Sequence, residues 1–563
     1  MAWERISSSR RRVVVKVFMI QSIQVLSLSG ETLKIGGVVY IANVDNTGSI
    51  KHLDFVNRST GQIYTVPLVT SVKPELAEGD HDSHYDYSDG GFFITTIELS
   101  KLIPDGDYGV SLTVQVGDVV VSEPIRLFEY TWQLHTKPSV SGTHSIIPYY
   151  VKGEMRIRFR QAGKLGRTGT ILRRVLRNGI FETAMLVNRR QWKAYLLFHL
   201  YRLNEKRLRG KQIWLFGERA DTAQDNSFQM YKYVRENQLV ENCYYVIDKK
   251  SADYRRVAEL GNIIQFGTFK HTLYLLTCAK SINAYAERIN MHTREYVQVL
   301  KCHPEWLQNH KYYLRHGVTG LSRIDYALNK LRTGFSLFVV SSQFEKDHYI
   351  AEYGYDDQDI AVTGLARWDQ LINKGIGDTI LLMPTWRRWI RSKQQLSDSE
   401  FMQRYMSLLR NATLHDILET HDLNLVFYPH YHIQQFMDDM PEIHPRIQII
   451  RQGQETVQSL LLRSDLLVTD YSSVAFDFSY MQKPVIFYQF DYDKFHDEHN
   501  KPGPISQNKL FGEVTRDEDA VVDGVRRFAN KDGAFMSAAK DNPYIFRAPG
   551  QHRRLVYEAI LAR

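Results

Sequence analysis

The chain has 563 residues, with 71 Lys and Arg against 63 Asp and Glu, and a net charge of +8. This is the composition of a globular protein of about three or four domains, and it excludes a disordered, collagen-like or coiled-coil chain. The three cysteines, Cys243, Cys278 and Cys302, are too few and too widely spaced for a disulfide framework or a paired-cysteine metal site, so we expect a reducing compartment. Charged and polar residues interrupt every apolar stretch before it reaches the roughly 18 residues of a spanning helix, and we expect neither such a helix nor a secretion signal.

Residues 1–136 predict a β-rich accessory domain. Short alternating segments, such as 92–96 and 108–114, are separated by turn clusters such as 45–48 and 104–107. Short strands at this spacing are typical of a small β-sandwich. This region contains no pattern that indicates a catalytic site.

Residues 137–205 predict a basic amphipathic helical linker. Residues 152–211, which we call the basic segment, contain 17 Lys and Arg against three Glu, so they carry +14 and leave −6 on the rest of the chain. Apolar residues interleave with these charges in 171–177 and 192–201, as in basic amphipathic helices. An anionic membrane surface, a polyanionic acceptor and a plain solvated linker all fit this pattern. Nucleic acid is not an expected partner, because no recognised binding motif accompanies the charge.

From residue 206 onward, apolar runs of four or five residues alternate with helical stretches. This pattern predicts α/β structure with parallel sheets covered on both faces. Eleven such runs are too many for one comfortable domain, so we divide the region into a first half, 206–377, and a second half, 378–563. Two Rossmann-like halves facing a cleft would bind ligands at the carboxyl ends of their strands. A single larger α/β domain is the alternative.

Polar side chains follow three of the predicted strands. His316 comes after 311–314, and Gly317 next to it would let a ligand approach closely. In the second half, Thr385 and Arg387 follow 379–383, and His430 follows 425–428. A single loop histidine is usually only solvated, but two of them at strand ends in opposite halves indicate a functional cleft.

The segment after the predicted strand 465–469 is the most informative. Asp470 is followed by Ser472 and Ser473 at the start of a predicted helix, where backbone N–H groups and hydroxyls suit a phosphate. Ser473 and Asp477 are four residues apart and so share one helix face. Simple N-capping is the alternative interpretation.

The run from Asp470 to Asp491 resembles the signature of the CDP-glycerol glycerophosphotransferases, the teichoic acid polymerase family. Further segments are similar to motifs of the same family, in the same order, namely Glu218-Arg219, residues 223–226, His316-Gly317, residues 384–387 and residues 502–505. The resemblance covers about residues 206–530. It implies a GT-B-like fold, preceded here by the β-sandwich-like domain.

The resemblance also implies an activity, the transfer of glycerol phosphate from CDP-glycerol to a hydroxyl of a growing polymer or primer, with release of CMP. His316 would be the general base, and His430 and Arg387 would stabilise charge on the pyrophosphate. The remaining site residues would bind the substrate, namely Ser472, Ser473, Asp477, Asp470, Thr385 and Gly317. No metal or cofactor is implied, although Asp491 and Asp493 offer an alternative metal site.

The expected partners are a CDP-glycerol donor, a polyol-phosphate or glycan acceptor in free or lipid-linked form, and an anionic membrane surface contacted by the basic segment. We therefore expect a cytoplasmic protein, peripheral on the inner face of the cell membrane. After His316-Gly317 the chain reads Val318-Thr319-Gly320-Leu321, where the family more often has Thr-Pro-Leu-Lys, so the polyol and the acceptor stay open. The alternatives are a CDP-ribitol or nucleotide-sugar donor, and a non-catalytic glycan-binding or scaffolding protein.

Overall fold

A computed structural model describes residues 18–29, 31–72, 85–125, 139–141, 144–151, 154–161, 192–285, 290–302, 310–322, 328, 330–353, 355–373, 377–437, 443–537 and 542–563. The chain forms two compact units. The β unit comprises Met1–Arg202, Arg294–Gln308 and Ala327–Gly334, and the α/β unit comprises Leu203–Thr293, Asn309–Tyr326 and Phe335–Arg563.

The β unit consists of two antiparallel sheets. Its strands are β1 (Phe18–Ser29), β2 (Thr32–Ala42), β3 (Ile50–Asn57), β4 (Ile63–Leu68), β5 (Thr70–Ser71), β6 (Gly91–Glu98), β7 (Gly106–Val116), β8 (Val119–Pro124), β9 (Ser139–Ser141), β10 (His144–Val151) and β11 (Glu154–Gln161). One sheet has the order β1-β2-β6-β5, and the other has β4-β3-β7-β11-β10-β9 with β8 paired to β7. Buried residues of both sheets, such as Ile35 and Phe55, share one core, which confirms the predicted sandwich-like domain.

The predicted helical linker is wrong for residues 139–141, 144–151 and 154–161, which form β9, β10 and β11. In β11 the buried Met155, Ile157 and Phe159 alternate with arginines, and this period of two is that of a strand with one face in the core. The arginines lie on the opposite face, so their charge is compatible with a sheet. The predicted helical pattern at 192–201 does lie in a helix. Residues 162–191, the middle of the basic segment, lie outside the described residues.

The described residues form helices in both units. In chain order they are α1 (Leu99–Leu102), α2 (Trp192–Gly210), α3 (Asn226–Glu236), α4 (Tyr254–Ala258), α5 (Phe269–Thr277), α6 (Arg294–Cys302), α7 (Lys330–Thr333), α8 (Gln343–Tyr353), α9 (Lys393–Ser397), α10 (Glu400–Leu409), α11 (Ala412–Thr420), α12 (Tyr431–Gln434), α13 (Val457–Arg463), α14 (Val474–Tyr480), α15 (Tyr492–Glu498), α16 (Glu518–Ala529), α17 (Gly533–Ser537) and α18 (His552–Leu561). Within the described ranges, none of them combines the length and the apolar character needed to cross a membrane.

The α/β unit contains two parallel sheets, as predicted. The first has the order β14-β13-β12-β15-β16-β17-β18, built from β12 (Trp214–Gly217), β13 (Cys243–Ile247), β14 (Ile263–Gln265), β15 (Lys280–Asn283), β16 (His310–Tyr313), β17 (Leu337–Val340) and β18 (Ile360–Val362). The second has the order β21-β20-β19-β22-β23-β24, built from β19 (Thr379–Leu382), β20 (Asn424–Phe427), β21 (Ile447–Ile449), β22 (Leu466–Thr469), β23 (Val485–Tyr488) and β24 (Glu513–Thr515). The strand order reverses at β12/β15 and at β19/β22, and open α/β sheets bind ligands at such switch points.

The last helix, α18, returns to the first sheet. Its Val556 and Ile560 are buried in one core with Trp214 and Phe216 of β12. The second sheet has a core of its own, in which buried residues of β19 to β23 cluster with those of helices α10, α11 and α16. The end of the chain therefore ties the first half to the second.

Candidate active site

A buried arginine sets the conformation of the His316 loop. After β16, Arg315 adopts the left-handed conformation with φ 59°, which costs a non-glycine residue roughly 1–2 kcal/mol. Its guanidinium is buried in an ion pair with Glu345 at 3.0 Å, and its Nε donates to the carbonyl oxygen of Gly317 at 2.8 Å. Because this turn directs Arg315 inward, the next side chain, His316, lies on the exposed side of the loop.

His316 is a neutral imidazole at physiological pH. Its ring stacks on Tyr285, with centroids 4.8 Å apart. The side chain reaches solvent but has protein on most sides, and this desolvation, followed by the charges of Arg367 and Arg315, lowers its pKa to about 3. The neutral ring has a lone pair that is free to accept a proton.

Arg367 connects three segments, namely the His316 loop, the start of α3 and helix α14 of the second half. It lies in a 3₁₀ turn, Ala366–Gln370, after β18. Its Nη1 donates to the carbonyl oxygen of His316 at 2.7 Å and to Asp225 at 2.8 Å. Its Nε and Nη2 donate to the two carboxylate oxygens of Asp477, both at 2.9 Å. This bidentate pair links the first half to helix α14 of the second.

Asp477 does not face the cleft, although the sequence places it on the same helix face as Ser473. It is 4% exposed, and Trp368 Nε1 also donates to it, at 2.7 Å. Both of its oxygens are therefore occupied by groups of the chain itself. The structure gives Asp477 the position of an anchor for Arg367.

Gly317 lies directly against Ser473 of the second half. A Cβ atom at Gly317 would be 2.5 Å from Ser473 Oγ, closer than real side chains approach. The close approach expected of a ligand is therefore made by Ser473. Ser472 and Ser473 are half-buried and directly precede the seven-residue helix α14, next to the His316 loop.

Arg387 is fully buried between two aspartates. Its Nε and Nη2 donate to Asp491 at 2.6 and 2.9 Å, and its Nη1 lies 2.9 Å from Asp470. Asp470 also accepts from the backbone N–H of Thr385 at 2.8 Å and of Tyr471 at 2.6 Å. This network fixes the loops after β19, β22 and β23 relative to one another. Arg387 and Asp470 have no surface from which to contact a ligand.

His430 caps the short helix α12 after β20. Its Nδ1 accepts from the backbone N–H of His432 at 3.3 Å, so the proton of the neutral ring is on Nε2. Burial, then the nearby His432 and Arg219, lowers its pKa to about 4. In the adjacent loop, Thr385 Oγ1 is buried without a hydrogen-bond partner among the residues that the structure describes. The Nε2–H of His430 is therefore a candidate donor to a bound anion, whereas Thr385 Oγ1 is closed off from solvent in this structure.

The alternative metal site is not assembled. Asp491 binds Arg387, and Asp493 is exposed and pairs with Arg516 at 2.9 Å. Throughout the described part of the chain, no group of three or more His, Cys, Asp or Glu is placed to hold a metal ion.

Comparison with known proteins identifies the family. The family model described as "CDP-Glycerol:Poly(glycerophosphate) glycerophosphotransferase" matches residues 198–547, more than half of the chain. The chain belongs to this family. The match covers both parallel sheets and every candidate site residue named above.

Two individual relatives are similar to this chain over part of their length. The "Minor teichoic acid biosynthesis protein GgaB" of Bacillus subtilis (strain 168) is 29% identical over 394 residues, which are 65% of this chain and 41% of that protein. A "Teichoic acid glycerol-phosphate transferase" of Staphylococcus aureus (strain NCTC 8325 / PS 47) is 36% identical over 84 residues, 15% of this chain and 22% of that protein. The matched parts thus span less than half the length of either relative.

A solved structure supports the fold. The "Structure of the Wall Teichoic Acid Polymerase TagF" has a TM-score of 0.50 and 16% identity, and the match covers 71% of this chain and 98% of that one. At this identity the likeness shows a common fold. It confirms the GT-B-like pair of Rossmann-like halves predicted from the sequence.

Several residues that build this candidate site were not selected from the sequence. Arg367 was missed, although it follows β18 and the strand-end rule that selected His316 applies to it equally. Asp225 caps α3 and holds Arg367. Glu218 is buried, and its carboxylate accepts from the backbone N–H of Gln224, Asp225 and Phe228 at 2.8–2.9 Å. Burial, and then Asp225, raises the pKa of Glu218 to about 8.

Proposed function

We propose that the α/β unit transfers glycerol phosphate from CDP-glycerol to a hydroxyl of a teichoic acid or capsule-like polymer or primer, and releases CMP. The observation that carries this proposal is the position of His316. Its neutral imidazole reaches solvent beside the seam at which Gly317 of the first half meets Ser473 of the second. Membership of the glycerophosphotransferase family supports the class of donor.

In this reaction His316 accepts the proton of the acceptor hydroxyl. The acceptor oxygen forms a bond to the phosphorus that carries glycerol, and the bond from that phosphorus to the bridging oxygen breaks. The electron pair of that bond leaves with CMP. General-base catalysis of this kind contributes about 10²- to 10⁴-fold in rate. A base whose pKa is low in the free protein is neutral before substrate binds, and the charge of the bound donor raises its pKa.

Donor groups on the second half would hold the phosphates. The Nε2–H of His430 and the hydroxyls of Ser472 and Ser473 can each donate to a phosphate oxygen, and Thr385 would do so after its buried hydroxyl turns toward the ligand. Arg387, Asp470 and Asp477 would position these donors without contacting the phosphates. Their charges are paired within the chain, and these ion pairs fix the loops that carry the donors.

The test is CMP release from CDP-glycerol by the purified protein, with a glycan or lipid-linked acceptor. We expect His316→Ala to lower the rate by about 10²- to 10⁴-fold while CDP-glycerol binding stays within a few-fold of wild type. His310→Ala is the matched control, since His310 is exposed at the start of the same strand.

Two results would count against the proposal. Wild-type protein that binds and consumes no CDP-polyol would contradict the function, and a fully active His316→Ala would remove His316 from the chemistry. CDP-ribitol and a nucleotide sugar belong in the same donor panel, because release of CMP or a nucleoside diphosphate from one of them would reassign the donor.

We also infer that the basic segment holds the protein on an anionic membrane surface on the cytoplasmic side. Helix α2 supports this with the exposed apolar residues Trp192, Leu196 and Leu203, the last 82% exposed, which lie along one stripe. Exposed basic residues flank the stripe, namely Lys193, Arg202, Lys206 and Arg207. Each basic residue near anionic headgroups contributes about 1 kcal/mol.

Vesicle co-sedimentation tests this inference. We expect binding to vesicles that contain phosphatidylglycerol, weakening as salt rises, and a clear loss for the double variant Trp192→Ser, Leu203→Ser. Leu239→Ser, at an exposed leucine outside α2, is the control. Equal binding by the double variant and the wild type would place the membrane contact outside α2.

A further inference from the structure

The donor's diphosphate needs positive charge, and the buried arginines of the site do not offer it. Arg315 pairs with Glu345, Arg367 with Asp225 and Asp477, and Arg387 with Asp470 and Asp491. Their side chains are 2%, 15% and 0% exposed, respectively. A diphosphate that bound to any of them would have to displace a buried carboxylate. Buried pairs of this kind are costly to break.

Arg219 differs from these three arginines in its surroundings. It follows β12 at the strand-order switch point of the first sheet, and its side chain is 34% exposed. Its ion-pair partner Asp221, at 3.0 Å, is itself 60% exposed. Asp221 accepts from both Nε and Nη2 of Arg219, at 3.2 and 3.0 Å, and the pair is exposed to solvent. Exposed pairs contribute only about 0–1 kcal/mol, and a phosphate can accept from the same two donors in place of Asp221.

Arg219 also reaches across the cleft. Its Nη1 lies 3.5 Å from the hydroxyl of Tyr431, and its guanidinium carbon lies 5.5 Å from the centre of that ring. Tyr431 follows His430 directly and packs against it at a tilt of 32°, with ring centroids 4.4 Å apart. The positive charge of Arg219 contributes to the lowered pKa of both His430 and His432. A guanidinium of the first half and an imidazole of the second thus lie together at the strand ends.

We propose that Arg219 binds the diphosphate of the CDP-linked donor opposite His430, and that it is a catalytic residue that stabilises the negative charge of the departing CMP. This inference rests on the proposed function. The guanidinium keeps its protons throughout and donates to the phosphate oxygens as the bridging oxygen gains its electron pair. Asp221 holds the guanidinium in place until the phosphate replaces it.

The first experiment measures binding of CDP, CMP and cytidine by calorimetry. We expect Arg219→Gln to weaken CDP binding by about 10- to 100-fold, the range of a charge-assisted hydrogen bond, and to leave cytidine binding unchanged. Arg219→Lys should recover part of the loss, because it keeps the charge but not the planar donor pair. Asp221→Asn should bind CDP at least as tightly as wild type, since it removes the competing carboxylate.

The second experiment measures CMP release from CDP-glycerol by the same variants. We expect Arg219→Gln to lower kcat as well as affinity, because the charge on the leaving group grows in the transition state. Arg388→Gln, at an exposed arginine of the loop after β19, is the matched surface control for charge removal.

The outcomes separate this inference from the proposed function. If wild-type protein binds CDP and Arg219→Gln binds it equally well, Arg219 is not a diphosphate ligand and the proposed function stands. Weakened CDP binding in Asp221→Asn would equally overturn the exchange of Asp221 for phosphate. If the wild type binds no CDP-linked compound, the proposed function itself fails.

Discussion

At the scale of single residues, the buried charge of Arg387 determines what a substitution there would do. The side chain has no exposed surface and lies between Asp470 and Asp491. Removing one partner of a buried ion pair leaves an uncompensated charge, which costs about 3–5 kcal/mol. We expect Arg387→Gln to lower the free energy of unfolding of the α/β unit by about that amount, measured by urea denaturation.

The neighbouring arginine provides the control for this prediction. Arg388 is exposed, and its Nη2 donates to Asn500 at 3.3 Å, so Arg388→Gln should change the unfolding free energy by less than about 1 kcal/mol. If Arg387→Gln kept wild-type stability and lost only its turnover rate, Arg387 would act on the substrate directly, as the family resemblance implied.

At the scale of elements, the segment around Gly503 joins the two halves. The backbone N–H of Gly503 donates to Leu321 at 3.2 Å, and that of Ile505 donates to Gly320 at 3.1 Å. A Cβ atom at Gly503 would overlap the carbonyl oxygen of Gly320 and lie 2.6 Å from its carbonyl carbon. Because these contacts are with backbone, no side-chain rotation can relieve them.

We therefore expect Gly503→Ala to push this segment away from the His316 loop. The expected results are a clear fall in the melting temperature and at least a tenfold fall in kcat/KM for CMP release, since an active site is sensitive to displacements of about 1 Å. Gly533→Ala is the control, because its Cβ would meet no atom within 4 Å and alanine favours the helix α17 that begins there. Equal melting temperatures and rates for the two variants would show that the contact around Gly503 is not tight.

The elements also show which features the sequence could predict. The eleven strands expected after residue 206 are present, whereas β14 and β24 were missed, because Gln265 in β14 and Glu513 and Thr515 in β24 leave too short an apolar run. His316 and His430 do lie on the loops that follow β16 and β20, as expected, since position along the chain decides that. The directions of Arg387 and Asp477 were not predictable, because their partners Asp491 and Arg367 come from segments more than 100 residues away.

At the scale of the whole molecule, the basic segment has two structural contexts within its described parts. Arg158 lies on strand β11 and pairs at 3.1 Å with Asp107, which is outside the segment, so one charge of the +14 is compensated within the β unit. Arg156 pairs at 3.6 Å with Glu154, whose charge the +14 already includes. The basic residues of α2 include exposed side chains beside exposed apolar ones. The positive charge that is available to an anionic surface is therefore smaller than +14. The exposed basic residues of α2 are part of it.

The stability of the whole α/β unit should depend on pH through its histidines. Among the described histidines, desolvation lowers the pKa to about 3 for His316 and to about 4 for His271, His430 and His499, and it also lowers the pKa values of His432, His496 and His552. In the unfolded chain a histidine takes up its proton near pH 6.5. Between about pH 6.5 and pH 4 the unfolded state thus binds more protons, and the stability that is fully present above pH 6.5 is lost as the pH falls.

His271 gives this prediction its sharpest test. It has no exposed surface, and its Nδ1 accepts from the backbone N–H of Gly267 at 3.2 Å, an arrangement that requires the neutral ring. A pKa of about 4 instead of 6.5 corresponds to about 3 kcal/mol of stability lost on acidification. We expect His271→Gln, which keeps an acceptor for Gly267 but does not titrate, to lose about 3 kcal/mol less than wild type between pH 7.5 and pH 4, as measured by urea denaturation at each pH. The same loss in both proteins would mean that His271 does not take part in the acid sensitivity.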